Sequence, residues 1–241
     1  MRKIFMLLLA LFALHSTFQA QVWLELGAKG MMGMTGFYNK NIVDDSRHDT
    51  QFGLGLSVGG VAAINFGENH GLNFEVLSAT HHQSMSYRGD DGINNTINIE
   101  WKSTDAYLMY RWYRNNGAFV EVGPKITYIN EAQQSFGTDW AKVSDKYASR
   151  YTSAAFGVGG FVTTSQVLVI KTGIRAEYAL TDLISDEGQM EGYPAYYTTF
   201  DSYRETRPFR AGFYLEVTFG VGGIAKSMCG SRGMIWGTGY N

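Results

Sequence analysis

The chain has 241 residues, of which 45% are hydrophobic, 15% aromatic and 17% charged, with a formal net charge of -2 at pH 7. Its apolar runs all fall short of the roughly 20 residues that a membrane-spanning helix requires. The abundant aromatic residues exclude a disordered or collagen-like chain. The small net charge does not indicate binding to nucleic acid. With 29 glycines and 3 prolines, the composition favours a β-rich protein of one or two domains.

The first 20 residues have the pattern of a cleaved signal peptide. Arg2 and Lys3 form a positive start, an unbroken apolar run of 11 residues extends from Ile4 to Leu14, and a short polar exit ends at Ala20. Eleven residues are too few to cross a bilayer as a helix. The prediction is therefore export of the chain; a buried amino-terminal helix is the alternative.

From residue 21 onward, apolar and polar residues alternate with a period of two, which is the pattern of strands with one apolar face. In the clearest run, even positions from Phe52 to Val58 and from Ala62 to Phe66 are apolar. Eight such runs begin near residues 21, 51, 72, 97, 118, 152, 168 and 209. The start and the end of the fourth run have opposite parity, so we predict a β-bulge near residues 103–105 that switches the face.

The connections between the runs are alternately short and long. Short turns are expected at residues 67–70, 114–117 and 163–166, and long loops at residues 38–50, 88–96, 131–150 and 181–206. Outer-membrane barrels have this alternation of short periplasmic turns and long external loops. The predicted fold is all-β, an eight-stranded antiparallel up-and-down transmembrane β-barrel; a soluble barrel or sandwich is the alternative.

The polar residues of the alternating pattern must face the lumen of such a barrel. It carries five acidic and five basic residues: Glu25, Lys29, Glu75, Glu121, Lys125, Lys171, Arg175, Glu177, Arg210 and Glu216. An eight-stranded barrel is just wide enough for side chains to fill it, so we expect a paired charge network that plugs the lumen. A path for ions or protons, and hence a narrow pore, is the alternative.

The signal segment, the alternating strands and the phenylalanine-rich last strand resemble the small eight-stranded outer-membrane β-barrels of Gram-negative bacteria, most of all the PorT-like group. The resemblance covers residues 21–221 and implies a protein of the cell outer membrane in contact with its lipid. Such barrels often end at an aromatic residue in the last strand, whereas here residues 222–241 follow. We predict a periplasmic tail there; a disordered end is the alternative.

Recognition of a partner is expected in the last long loop. Tyrosine has an apolar ring and a polar tip, and loops on a rigid scaffold commonly carry binding sites. The candidate residues are Tyr193, Tyr196, Tyr197 and Tyr203. We therefore predict a non-enzymatic anchor or binding protein, with no cofactor or metal, that can meet an envelope protein through its loops and tail. Packing of these rings on one another is the alternative.

A lipid hydrolase is the alternative from another functional class. His82 and Ser84 share one strand face, a pattern similar to that of lipid A deacylases, and Glu100 on the next strand could orient the histidine if a bulge turns it outward.

Six aromatic residues near strand ends are assigned to the girdles at the membrane interfaces: Trp23, Trp101, Trp112, Tyr128, Tyr178 and Phe209.

Overall fold

The computed structural model describes residues 22–89, 92–137, 139–164, 168–195 and 202–221. The predicted signal peptide (1–20) and tail (222–241) lie outside the described residues, and so do Tyr196 and Tyr197. The described strands are β1 (Val22–Asn39), β2 (His48–Phe66), β3 (His70–Arg88), β4 (Asn94–Tyr113), β5 (Ala118–Phe136), β6 (Asp139–Lys142), β7 (Arg150–Thr164), β8 (Leu168–Ala179) and β9 (Thr206–Val221).

Short helices occur only in the connections of this described part. They are α1 (Lys40–Asp44), α2 (Asp186–Met190) and a single 3₁₀ turn (Ser144–Lys146). Within the same residues, every helix is too short or too polar to span a bilayer.

Eight of the strands form a closed ring. Each of β1 to β5 pairs antiparallel with the next, β5 then pairs with β7, and the order continues through β8 and β9 back to β1. The four-residue β6 pairs with the outer part of β5 and stands beside the ring as a ninth strand. The prediction of an eight-stranded antiparallel barrel is therefore confirmed.

The strands are tilted, and the cross-strand pairs measure the tilt. Following partners once round the ring from Leu24 returns to β1 at Met34, ten residues further along, by way of Ile64, Leu72, Tyr110, Val122, Phe156, Ala176 and Ala211. A stagger of this size over eight strands corresponds to a tilt of about 41°. The barrel therefore has the strand inclination of a small membrane barrel.

In each strand the apolar residues of the alternating pattern face outward, and the polar residues face the lumen. Leu56, Val58 and Phe213 have 57%, 65% and 67% of their surfaces exposed, whereas Glu75 and Glu216 have 1% and 0%. A soluble barrel would place its apolar side chains inside, so this arrangement excludes the soluble alternative. We call the end with the tight turns at residues 67–69 and 114–117 the turn end, and the opposite end the loop end.

The structure differs from two predictions about β4. The connection from β3 to β4 contains residues 89–93, so it is shorter than the long loop predicted at residues 88–96. The face of β4 does not switch either, because odd positions from Ile97 to Tyr113 are buried without a break. The extra residue is Asn130 of β5, opposite the step from Lys102 to Ser103. Apolar residues at the loop-end part of β4 face inward because they pack under the loops.

Two aromatic assignments are also wrong. Trp23 and Trp101 are buried inside the barrel, since they share the inward parity of their strands. Trp23 donates a hydrogen bond from its Nε1 to Glu25 at 3.2 Å, and Trp101 stacks on the ring of His81. Trp112, Tyr128 and Tyr178 do face outward.

Candidate functional site

The turn-end half of the lumen holds a compact charge network, which we call the inner network. It consists of four carboxylates and four cations: Glu25, Lys29, Glu75, Arg111, Glu121, Lys171, Arg175 and Glu216. All eight side chains are buried, and alternate positions on neighbouring strands bring them together.

The two arginines bind several carboxylates at once. Arg111 donates from Nε to Glu121 at 2.8 Å and from Nη1 to Glu216 at 2.7 Å. Arg175 holds both oxygens of Glu75, at 2.7 and 2.9 Å, and donates from Nε to Glu121 at 2.8 Å. Such multiply shared, charge-assisted bonds are the strong kind, and their geometry fixes each side chain.

The two lysines complete the inner network. Lys29 Nζ lies 2.8 Å from Glu75 Oε1 and 3.4 Å from Glu216 Oε2. Lys171 Nζ lies 2.5 Å from Glu25 Oε2 and 3.1 Å from Glu216 Oε1. Every carboxylate of the inner network therefore has at least one cation in contact, and Glu216 has three.

A smaller group of charges, which we call the outer group, lies nearer the loop end. Lys125 bridges Asp105 at 2.9 Å and Glu177 at 2.8 Å. Arg210 faces the same space but makes no ion pair within 4 Å with any described carboxylate; it donates from Nη2 to the carbonyl of Met31 at 3.1 Å. The predicted pairing of Arg210 is thus not seen: its cross-strand partner Glu177 binds Lys125, and the Arg210 guanidinium reaches the Met31 carbonyl of β1.

Sequence reasoning missed Arg111 and Asp105. Both occupy odd positions of β4 and so share the inward face of Tyr107, whereas Leu108 and Tyr110 point outward. The alternation around Leu108 and Tyr110 already indicated an inward Arg111, whereas Asp105 fell within the predicted bulge at residues 103–105. With these two residues, the described lumen contains six buried carboxylates and six buried Lys or Arg side chains.

Apolar layers lie at the two ends of the charged region. The turn-end layer, the floor, consists of Met31, Tyr113, Phe119, Phe161, Val169 and Tyr214. Gly159 and Gly173 leave space for Tyr214, since a Cβ at either position would lie within 3 Å of its hydroxyl oxygen. The loop-end layer, the roof, consists of Phe37, Ile42, Met85, Ile97, Ile99, Trp101, Ala132, Val143, Tyr147, Tyr151, Ala179, Leu183 and Ile184.

The roof exists because the loops are tied to one another. The Lys146 ammonium lies 2.7 Å from Glu187 and 2.5 Å from Glu191, both of the β8–β9 connection, and 3.2 Å from Asp145. The hydrogen bonds to Glu187 and Glu191 raise the pKa of Lys146. A backbone bridge between Tyr147 and Ile184 joins the same two connections.

The β8–β9 connection is also tied to β1 and α1. Asn39 donates from Nδ2 to the Thr206 hydroxyl at 2.8 Å, and Asn41 donates to the Ser202 carbonyl at 2.9 Å. Three of the connections at the loop end therefore form one joined surface.

This surface contains a cleft of about 490 Å³, which we call the loop cleft. Ile42, Met190, Tyr193 and Tyr203 line it together with Asn39 and other polar groups. The structure thus brings two of the four predicted tyrosines to one cleft. Tyr203 is held there by a 3.0 Å hydrogen bond from its hydroxyl to Asp182.

Comparison with known proteins identifies the family. A family model described as "Outer membrane protein beta-barrel domain" matches residues 4–204. The chain belongs to this outer-membrane β-barrel family. The barrel is therefore a protein of the outer membrane, with its turn end toward the periplasm and its loop end toward the outside.

Among solved structures, the barrel is similar to Neisserial surface protein A, at 9% identity over 82% of this chain and 96% of that one, with a TM-score of 0.40. It is also similar to OprG from Pseudomonas aeruginosa, at 8% identity over 83% and 95% of the two chains, with a TM-score of 0.39. Ail of Yersinia pestis matches at 10% identity over 82% and 98%, with a TM-score of 0.34. Among curated proteins no sequence matches.

The residues of the hydrolase alternative lie on the outer wall, near the external membrane surface. His82 Nδ1 is 3.4 Å from Glu100 Oε2, because both residues face outward in one cross-strand pair without any bulge. The Ser84 hydroxyl, however, donates to Asn98 Oδ1 at 2.5 Å. The arrangement therefore supplies a histidine–carboxylate pair without a serine bound to it.

Proposed function

We propose that this outer-membrane barrel is a closed, non-enzymatic anchor that presents its loop surface to a partner outside the cell. The observation that carries the proposal is the filled lumen, in which six carboxylates and six cations lie between two apolar layers. A lumen of this kind fixes the barrel mechanically and leaves the loops as the variable, outward-facing part.

The ion pairs argue against a pore. A conducting path needs charges that water reaches, whereas the side chains of the inner network are at most 1% exposed. These charges face one another at hydrogen-bonding distances, so each is neutralised locally. The balance of six against six leaves no excess charge to attract a permeating ion.

The outer-wall residues argue against a hydrolase. A serine nucleophile must pass its proton to a neighbouring base, and the Ser84 hydroxyl is directed to the amide of Asn98. His82 and Glu100 are both partly exposed at the level where polar side chains meet lipid headgroups, a position that requires no catalytic role.

The loop cleft supports recognition. Ligand sites are concave and combine apolar side chains with a few placed polar groups, which is the character of this cleft. Met190 at its edge has 81% of its surface exposed, an unusual position for a large apolar side chain unless another molecule covers it.

Photocrosslinking on intact cells tests this proposal. A photoreactive amino acid in place of Met190 should give a discrete crosslinked product with an external partner. The matched control is Ile93, which is 58% exposed in the separate β3–β4 connection and should give none. An identical set of products from both positions, or no product from Met190, would contradict recognition at the loop cleft.

A further inference from the structure

The outward residues of β9 and β1 change from apolar to cationic at the loop end. On β9, every outward position from Phe209 to Val221 is apolar. The next outward residue toward the loop end is Arg207. On β1, the corresponding positions end at Tyr38, and Lys40 follows in α1. Arg207 and Tyr38 are cross-strand partners. The first charges above the lipid-facing wall on this side are therefore both positive.

These cations border an open groove of about 700 Å³ on the outside of the barrel, which we call the rim groove. Its lining includes Tyr38, Lys40, Tyr178, Arg204, Glu205 and Arg207. Tyr38 and Tyr178 are 44% and 43% exposed, and tyrosines at this height mark the boundary between acyl chains and headgroups. The rim groove therefore opens toward the headgroups of the outer leaflet.

The charges of the rim groove are free to exchange partners. Lys40 contacts Asp44 at 2.6 Å, and Arg207 contacts Glu205. Arg204 has no ion pair within 4 Å among the described residues. Exposed pairs of this kind contribute little, so an incoming anion can replace a carboxylate at low cost. The lining itself contains three cations and one carboxylate, Glu205, while Asp44 and Asp182 lie beside it.

The opposite side of the same wall has a different character. There Glu100 and Glu131 surround Lys102, at 3.8 and 3.4 Å, and Glu100 also contacts His82. Carboxylates outnumber the lysine on this side. On the β8–β9–β1 side, the cations of the rim groove lie above exposed apolar residues such as Ile174 and Phe213.

We propose that the rim groove binds the phosphate of an outer-leaflet lipid, whose acyl chains lie against β8, β9 and β1. Arg204, Arg207 and Lys40 supply the positive charge, and arginine suits phosphate because its planar fork donates two parallel hydrogen bonds. The apolar wall immediately below the groove selects an amphiphile over a free anion. The rim groove adjoins the loop cleft at Tyr203, but the proposal requires no partner in that cleft.

Lipid retention by the purified barrel tests the proposal. The protein is placed in phosphatidylcholine nanodiscs that contain a small fraction of lipid A, which is phosphorylated, and the lipid that stays bound after release into detergent is counted by native mass spectrometry. Wild type should retain lipid A. The variant Arg204→Gln with Arg207→Gln should bind it more weakly, by about fivefold for each cation removed.

The matched control is Lys102→Gln on the opposite side, which should retain lipid A as wild type does. Heat-dependent migration in gels shows that each variant is folded before it is measured. Equal loss in Lys102→Gln, no loss in the double variant, or displacement of the lipid by inorganic phosphate at matched concentration would each overturn the proposal.

Discussion

Arg175 and Arg210 are both buried guanidinium groups in the same lumen, yet their surroundings differ. Arg175 belongs to the inner network and contacts Glu75 and Glu121. Arg210 belongs to the outer group and donates one hydrogen bond, to the Met31 carbonyl. We therefore expect the contribution of a lumen charge to stability to depend on the number of partners that share it, and not on burial alone.

The space around the two arginines differs as well. Beside Arg210 the packing leaves a narrow gap, large enough for about one water molecule, which His81, Lys125 and Glu177 also line. Side chains there can relax after a substitution, and water can enter because the lining is polar. In the inner network each side chain is fixed by its neighbours, so removing one cation leaves four carboxylates with three cations in a dry site.

The largest expected effect follows from this difference. Arg175→Met should lower the free energy of unfolding by about 3 to 5 kcal/mol, because it leaves Glu75 and Glu121 short of a partner in a dry site. Arg210→Met should cost much less, since Glu177 keeps Lys125. Denaturant unfolding of the detergent-solubilised barrel measures both.

A second substitution sharpens the first result. Glu75→Gln in the Arg175→Met background should restore part of the lost stability, because it removes a stranded charge. Equal midpoints for Arg175→Met and Arg210→Met would mean that water screens the whole lumen, and the distinction between the inner network and the outer group would fail.

The wall of the barrel offers the next largest effect. Leu215 lies near the middle of the outward face of β9 and is 51% exposed to lipid. Leu215→Arg should lower stability by about 2 to 4 kcal/mol, because an unpaired cation then lies near the bilayer centre.

The matched control for the wall is Thr96→Arg. Thr96 is outward and exposed on the loop-end part of β4, above the apolar band, so stability should change little. Refolding into lipid vesicles compares the two variants. Both positions face outward, so equal costs at Leu215 and Thr96 would contradict the placement of Leu215 in the apolar band and of Thr96 above it.

The smallest effect is expected at the roof. Lys146→Gln removes the cation that joins Glu187 and Glu191 to Asp145. The barrel should keep its unfolding midpoint, while backbone hydrogen exchange in residues 182–191 becomes faster because that connection loosens. Lys142→Gln, on the exposed β6, is the control and should leave exchange in residues 182–191 unchanged. Unchanged exchange in Lys146→Gln would mean that the apolar roof alone holds the loops.

The fold could be predicted because an alternation with a period of two indicates both where a strand lies and which of its residues face outward. The outward residues of β2 and β9 and the inward carboxylates follow directly from alternation. Alternation failed at the loop end of β4, where Ile97 and Trp101 are apolar but inward. The reason is that the loops cover this end of the lumen, so apolar side chains there pack on the roof rather than on lipid.

The partners within the lumen could not be predicted from the sequence. Arg111 and Glu216 are 105 positions apart in the chain, and only the ten-residue stagger of the ring brings them together. Register does not settle pairing by itself either, because Glu177 lies directly across from Arg210 but binds Lys125. Pairing in a barrel depends on register between distant strands, which the pattern of one strand does not encode.

The central claim is that paired charges between two apolar layers close the lumen, and single-channel recording in planar bilayers tests it most directly. Purified wild-type barrel, shown to be folded by its heat-dependent migration and recovered with the bilayer lipid, should give no steady current at moderate voltage. Reproducible stepwise openings of one defined size in the wild type would show that water and ions pass between these charges, and would contradict the account.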